Sequence, residues 1–422
     1  MLPAVEVLGP GAGRGAGRPD PLRPADVRRS LGRRPGPGRL LSLRRPLLQH
    51  RDHRELLDDL RARRRHPART ASRPAIAGTP GGAGVSGRAL RWLLSLAHRA
   101  AVQEPGGARG RLTIIRHHRV YAAGARPLYR LGVGEPVLAA QLALLGELGL
   151  TPVTVAEGWR RLREGEPGSW VALTFDDGYL DNVERALPLL EASGGRATFY
   201  LTAGLIERRL APWWDSLAHA LEHTRRDLLE WTVGEMQLAL PLRTRSERVS
   251  ALARLVPELR VHPVERERRL AEIAGRLEVG EAPCELAPWE SAAALVRSGM
   301  EVGAHTLDHP FLSLLSPAEQ RREVAGSVEL IERRLGVRPT GLAYPGGDHD
   351  ARTLEIVEAS GLDYAVTTRA GINRPDDRPF ELRRRGLSEG ACLGPSGRFS
   401  RRLAIAELDG AFDRMRGVEV GT

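Results

Sequence analysis

Two adjacent aspartates before a glycine, Asp176-Asp177-Gly178, and two histidines four residues apart, His305 and His309, are the side chains of this sequence best suited to hydrolytic metal chemistry. On a helical turn, residues i and i+4 project from one face, so the two imidazoles can share a cation. Two imidazoles and one carboxylate make three ligands and leave a position for water, the arrangement of a catalytic rather than a structural zinc site. Neighbouring side chains at a strand end point opposite ways, so one aspartate can bind metal while the other faces the water as a base. The pattern leaves open which does which. A third polar cluster, Tyr344-Pro345-Gly346-Gly347-Asp348-His349-Asp350, lies further on. Taken singly, the aspartates read as a polar turn and the histidines as solvated or packed imidazoles.

Each cluster directly follows an apolar run of strand length, where α/β folds place their sites. Strands are expected at Leu112–His117, Trp170–Phe175, Ala197–Thr202, Glu301–Ala304, Gly341–Ala343 and Tyr364–Thr367. Between them, helical spacing of leucines, valines and alanines predicts helices over Val137–Leu148, Asn182–Ala192, Ala292–Ser298, Ala318–Leu335 and Ala351–Ser360. Repeated strand–helix units predict a parallel sheet, either open or closed as a barrel. Residues 207–290, rich in Leu, Arg, Glu and Ala with breaks at Pro241, Pro257 and Pro263, read as a helical insertion. Ile405, Leu408, Phe412 and Met415 form one apolar face of a closing helix.

The 422 residues carry a formal charge of +11, and all 63 basic side chains are arginine. Residues 1–84 hold 18 arginines against seven acids, which leaves 45 of each in the remainder. The main body is therefore neutral, and a specific nucleic-acid partner is not expected. The first aromatic residue is Trp92, and Gly and Pro make up 23 of the first 84 residues. Such a segment lacks the apolar groups that offset chain entropy, so it is expected to be disordered apart from a short helix within Glu55–Arg65. Its arginine bias also matches GC-rich coding, and translation is expected to start later, near Val85. The expected organisation is residues 1–84 disordered, 85–110 helix and linker, 111–390 the main domain, and 391–422 a helical tail. Leu90–Ala97 is too short to span a bilayer and too far from Met1 for a secretory signal. It reads as a packing helix, with weak membrane-surface contact as the alternative, and a cytoplasmic or membrane-peripheral location is expected. Cys284 and Cys392 have no metal-ligand spacing. Oligomeric state is not legible.

Taken together, Leu173-Thr174-Phe175-Asp176-Asp177-Gly178-Tyr179, His305-Thr306-Leu307-Asp308-His309 and Leu342-Ala343-Tyr344-Pro345-Gly346-Gly347 resemble the polysaccharide deacetylases of carbohydrate esterase family four, the NodB-homology domain. The likeness runs from about 111 to 385, roughly two thirds of the chain, with softer features in Pro212-Trp213-Trp214-Asp215 and Tyr364–Thr368. It implies a distorted (β/α)7-type barrel. It also implies removal of acetyl groups from an N-acetylated glycan or glycolipid, with O-deacetylation or deformylation as close alternatives. By position, Asp176 matches the family's base, and Asp177, His305 and His309 match its metal ligands. Tyr179 matches the residue whose backbone N–H holds the oxyanion. Tyr344, Pro345 and Asp348 fall where substrate contacts are expected. The implied cofactor is a divalent metal, zinc by default, with cobalt or nickel also compatible with such ligands.

The chain departs from the commoner pattern at two places. An arginine usually opens the third motif, where this chain has Ala343, and a Leu-x-x-His motif usually supplies the general acid. No histidine follows His349. A subgroup resembling surface-polysaccharide deacetylases carries the acid after the first strand, which makes His118, in His117-His118-Arg119-Val120, the candidate here. The missing arginine leaves the orientation of Asp176 unexplained, and with the absent C-terminal histidine it motivates a second reading, a catalytically impaired carbohydrate-binding relative.

Overall fold

A computed structural model describes residues 85–96 and 110–413. The expectations for 1–84, the helix within Glu55–Arg65, the linker after residue 96 and Met415 lie outside the described residues. The strands are β1 (Arg111–His117), β2 (Arg119–Tyr121), β3 (Gly132–Gly134), β4 (Ser169–Phe175), β5 (Ala197–Leu201), β6 (Leu228–Val233), β7 (Met236–Pro241), β8 (Glu301–Ala304), β9 (Gly341–Ala343), β10 (Tyr364–Val366) and β11 (Arg385–Gly386). Seven form one parallel sheet in the order β10-β9-β8-β5-β4-β1-β11. Leu382 bridges Val366 of β10, and three residues later Arg385 and Gly386 pair with Ile115 and Arg116 of β1. One short segment thus touches both edges and curls the sheet into the distorted barrel that the resemblance implies, where the βα repeats left an open or a closed sheet.

The strands are apolar on both faces because both are covered. Leu112, Ile114, Ala172, Tyr200, Ala343, Tyr364, Val366 and Leu382 pack together inside the curl. Ile115, Val171, Leu173, Phe175, Phe199, Val302 and Leu342 face outward into the helical layer. The helices start and stop on sequence signals. The longest, Pro317–Leu335, opens with a Ser316–Glu319 capping box and ends at Gly336 in the left-handed region, φ 71°. Inward residues at the C-terminal ends of these strands converge on one rim, which carries the polar clusters.

The insertion differs from the all-helical expectation. Trp213–His223, Arg245–Leu255 and Pro263–Leu277 are helices, but β6 and β7 form an antiparallel hairpin between them. Leu229 and Trp231 are its buried alternate residues, packed with Leu217, Leu252 and Leu277 in a core of the insertion's own. The period-two signal spans only those two side chains, too few to stand out against the surrounding leucine-rich helices.

Helix Val85–Leu96 packs as expected. Trp92 lies against Leu403, Ala406 and Phe412 beside helix Arg401–Leu408, and Arg91 pairs with Glu407. Leu90, Leu93 and Leu94 remain exposed. Among the described residues no helix is long and apolar enough to cross a membrane. Both cysteines are free thiols.

Candidate functional site

His305 and His309 reach their places through a loop, not through the helical turn expected from their spacing. Thr306 (φ 64°) and His309 (φ 52°) both sit in the left-handed region, which costs energy in a non-glycine residue and persists only where the surroundings impose it. Buried Glu323, on helix Pro317–Leu335, accepts the N–H groups of Leu307 (3.0 Å) and Asp308 (2.9 Å). Thr306 Oγ1 accepts the His309 N–H at 3.0 Å, and Asp308 is held by an ion pair with Arg208. Asp308 therefore shapes the loop. Asp177, at φ 75° after β4, meets the two imidazoles: its Oδ1 is 3.4 Å from His305 Nε2 and 3.7 Å from His309 Nε2.

This trio fits a metal. Donor atoms of Asp177, His305 and His309 lie within 4.8 Å of one another. His305 Nδ1 donates to the Ala343 carbonyl at 2.7 Å, which turns the Nε2 lone pair toward Asp177. Both Asp177 oxygens and His309 Nδ1 are buried without a hydrogen-bond partner among the described residues. The Asp177 carboxylate faces the Nε2 atoms of both imidazoles, a donor set that a cation would bridge. Burial works against ionisation of Asp177, but His305, with His118 and His309, outweighs it and holds the carboxyl below its usual range. Burial pushes His309 down to about 3, so its imidazole stands uncharged.

Asp176 points the other way, as the strand-end argument requires. Its two oxygens receive Arg384 Nη1 at 2.6 Å and Nη2 at 2.8 Å in a fully buried fork, and Arg384 Nη1 also meets Thr174 Oγ1 at 3.1 Å. Burial opposes the charge on Asp176, yet Arg384, then His305 and His118, drive its pKa well below the ordinary carboxylate range. Arg384 thus makes a contact with Asp176 that Ala343 cannot. Sequence reading missed it because it lies over 200 residues from Asp176, in the run Arg383-Arg384-Arg385 where nothing singles out the middle member. Alternation was the available signal: the inward row through Leu382 continues with Arg384, while Arg385 turns outward to Asp413.

His117 and His118 separate cleanly. His117 lies on the outer face, stacked on Phe175 with centroids 5.4 Å apart, and burial lowers its pKa to about 3. His118 faces the site, with Nε2 3.9 Å from Asp176 Oδ2. Asn182, at the start of a π-helical turn, donates to the His118 carbonyl at 2.7 Å, and Asp181 accepts the Val120 N–H at 3.0 Å. The turn after β4 thereby fixes the segment after β1.

Tyr179 is buried, with its hydroxyl 2.8 Å from Asp215 Oδ2 and from Trp214 Nε1. Its bridge to Leu286 uses the N–H groups of Leu180 and Ala287, so the Tyr179 N–H takes no part in it. In the third cluster, Tyr344 is buried, donates to the Phe380 carbonyl at 3.0 Å and stacks on His349. Pro345 is buried, and Asp348 accepts from Ser313 N (2.8 Å) and Oγ (2.9 Å). These three side chains shape the rim of the site.

Residues 163–365 match the sequence model of the polysaccharide deacetylase family. The Bacillus subtilis protein YxkH, named for the same family, is 22% identical over 282 residues, which cover 66% of this chain and 72% of YxkH. Among solved structures, the Streptococcus pyogenes deacetylase PplD in complex with acetate is 19% identical with a TM-score of 0.46, over 68% of this chain and 96% of that one. IcaB from Ammonifex degensii is 23% identical with a TM-score of 0.42, over 65% and 93%. His118 and Arg384 both lie outside the residues matched by the family model.

Proposed function

The chain belongs to the polysaccharide deacetylase family, and on that premise we propose that it is a metal-dependent hydrolase removing acetyl groups from an N-acetylated glycan. The observation that carries this reading is the pairing of two carboxylates with separate tasks: Asp177 with His305 and His309, and Asp176 locked by Arg384 beside them. A divalent ion held by the trio, zinc by preference, would polarise the acetyl carbonyl and acidify a water.

Asp176, ionised through its arginine fork, accepts the proton of the attacking water at a carboxylate oxygen. The Tyr179 N–H donates to the carbonyl oxygen as negative charge collects there. Burial lowers the His118 pKa, although Asp177 and Asp176 pull it upward, so the resting imidazole is uncharged. Its Nε2 takes up the proton collected by Asp176 and gives it to the leaving nitrogen. The 3.9 Å gap exceeds a direct hydrogen bond, so this transfer runs through the water or the amine lying between them. The products are acetate and a free amine.

The test is acetate release from N-acetylated oligosaccharides by metal-loaded protein, with formate release from N-formyl sugars and acetate from O-acetyl sugars as comparisons. Release from none of them ends the hydrolase reading. Wild-type protein is expected to keep one equivalent of metal through dialysis, and His305→Gln to keep much less, as elemental analysis would show. His118→Ala is expected to slow amide hydrolysis about 10²-fold or more. It should slow 4-nitrophenyl acetate far less, because that leaving group departs without a proton. Equal losses on both substrates would remove His118 from the acid role. The Arg384 fork on Asp176 favours the hydrolase over the impaired-relative reading, one of whose two motives was the missing arginine.

A further inference from the structure

We infer that Arg116 directs this site toward acidic glycans: its guanidinium, on the barrel rim beside Asp176, receives an anionic substituent, carboxylate or phosphate, carried near the reacting acetyl group. The inference rests on the deacetylase reading and narrows its substrate class.

Arg116 continues the inward row of β1 above Leu112 and Ile114, level with Thr174 of β4 and Gly386 of β11. Gly386 has no side chain to oppose it, and Arg116 Nη2 lies 3.8 Å from where a Cβ would stand there. The side chain is half-buried, so its charge is partly desolvated but still exposed in part. Among the described residues it makes no ion pair, and no hydrogen bond of its guanidinium is seen.

The charged and titratable groups around it explain why. Asp176, from the end of β4, has both oxygens in the Arg384 fork, and Asp177 is turned to the two histidines. Arg384 adds a second positive charge, and Tyr129, from the loop before β3, supplies a phenol that burial holds protonated up to about 12. Burial and Arg384 lower the Arg116 pKa only to about 10, so the cation persists at neutral pH. The one carboxylate not turned to the histidines is thus held by Arg384, and Arg116 has no counter-ion among the described residues. A partly desolvated cation in this position strengthens any anion that reaches it, and the guanidinium fork matches carboxylate and phosphate geometry. Arg116 also lies outside the residues matched by the family model.

The test uses full-length, metal-loaded protein and two readouts. Calorimetric binding compares cellobiouronic acid with cellobiose, and glucose 6-phosphate with glucose; none carries an acetyl group, so none turns over. Acetate release compares a hyaluronan tetrasaccharide with chitotetraose as a ratio of kcat/KM. The acidic member of at least one pair should bind at least tenfold more tightly, through KM in the kinetic comparison. The preference should collapse toward one in Arg116→Gln and return in part in Arg116→Lys. A ratio cancels any general effect of the lost charge on Asp176. The carboxylate and phosphate pairs identify which anion is read, and sodium acetate tests the product as the alternative occupant. Equal binding within both pairs, a preference that survives Arg116→Gln, or displacement by acetate alone would overturn the inference. A binding preference without acetate release from any saccharide would leave the anion site standing and remove the deacetylase reading.

Discussion

Asp176→Asn is expected to reduce acetate release by about 10³-fold or more while the protein keeps its metal, because the substitution removes the proton acceptor and leaves Asp177, His305 and His309 in place. Asparagine has nearly the same shape and still accepts one Arg384 N–H, so the barrel should remain folded. Its remaining donor group faces the other arm of the fork, which costs some stability but not the structure. Three measurements belong together: single-turnover acetate release, metal content by elemental analysis, and the urea midpoint. Loss of turnover with metal and fold retained assigns Asp176 to the chemistry. A variant keeping more than a tenth of the wild-type rate would exclude it as the base.

Arg384→Met should act on both stability and pH dependence. Removing one partner of a fully buried ion pair strands the other charge, and such losses cost about 3–5 kcal/mol. The double variant Asp176→Asn, Arg384→Met should recover part of that loss, since neither partner is then left charged. Urea unfolding of the four proteins would read the coupling directly. In the wild type, a carboxyl depressed in the folded state contributes stability above its unfolded pKa of about 4, and the contribution is lost only as pH falls through the lower folded value. Without Arg384, burial is the largest remaining influence on Asp176 and acts to raise its pKa. The acid limb of kcat/KM should therefore move to higher pH, with activity failing under mildly acid conditions that the wild type tolerates. Arg384→Lys keeps the charge but not the fork and should fall between the two. An unchanged acid limb in Arg384→Met would show that Arg384 does not set the ionisation of Asp176.

Much of this site was legible from local chemistry. Asp-Asp-Gly after an apolar run forces two carboxylates apart at a strand end. In the structure Asp177 meets the histidines while Asp176 turns to Arg384. The βα repeats determined a parallel sheet covered on both faces. Other features escaped because they depend on long-range closure. The left-handed residues Thr306 and His309 are held by Glu323, a residue of the following helix that ordinary helix composition conceals. The β6–β7 hairpin shows only two buried alternate side chains within a segment of helical texture.

The sequence by itself singled out the two aspartates and the two histidines, the strands that carry them and the neutral charge balance of the main body, because these follow from residue type, spacing and period. Tertiary structure turns His118, the candidate by resemblance, toward Asp176 and His117 away from it, and it alone decided that Arg384 rather than Arg383 or Arg385 reaches Asp176. It also decided that Arg116 stands on the same rim without a counter-ion among the described residues. Each of these turns on which side of a strand points into the barrel once Leu382–Gly386 bridges its two edges. The physical reason is that a strand's alternation assigns two faces but does not say which is inside. Only the closure of the curled sheet brings residues more than 200 positions apart within reach of one carboxylate.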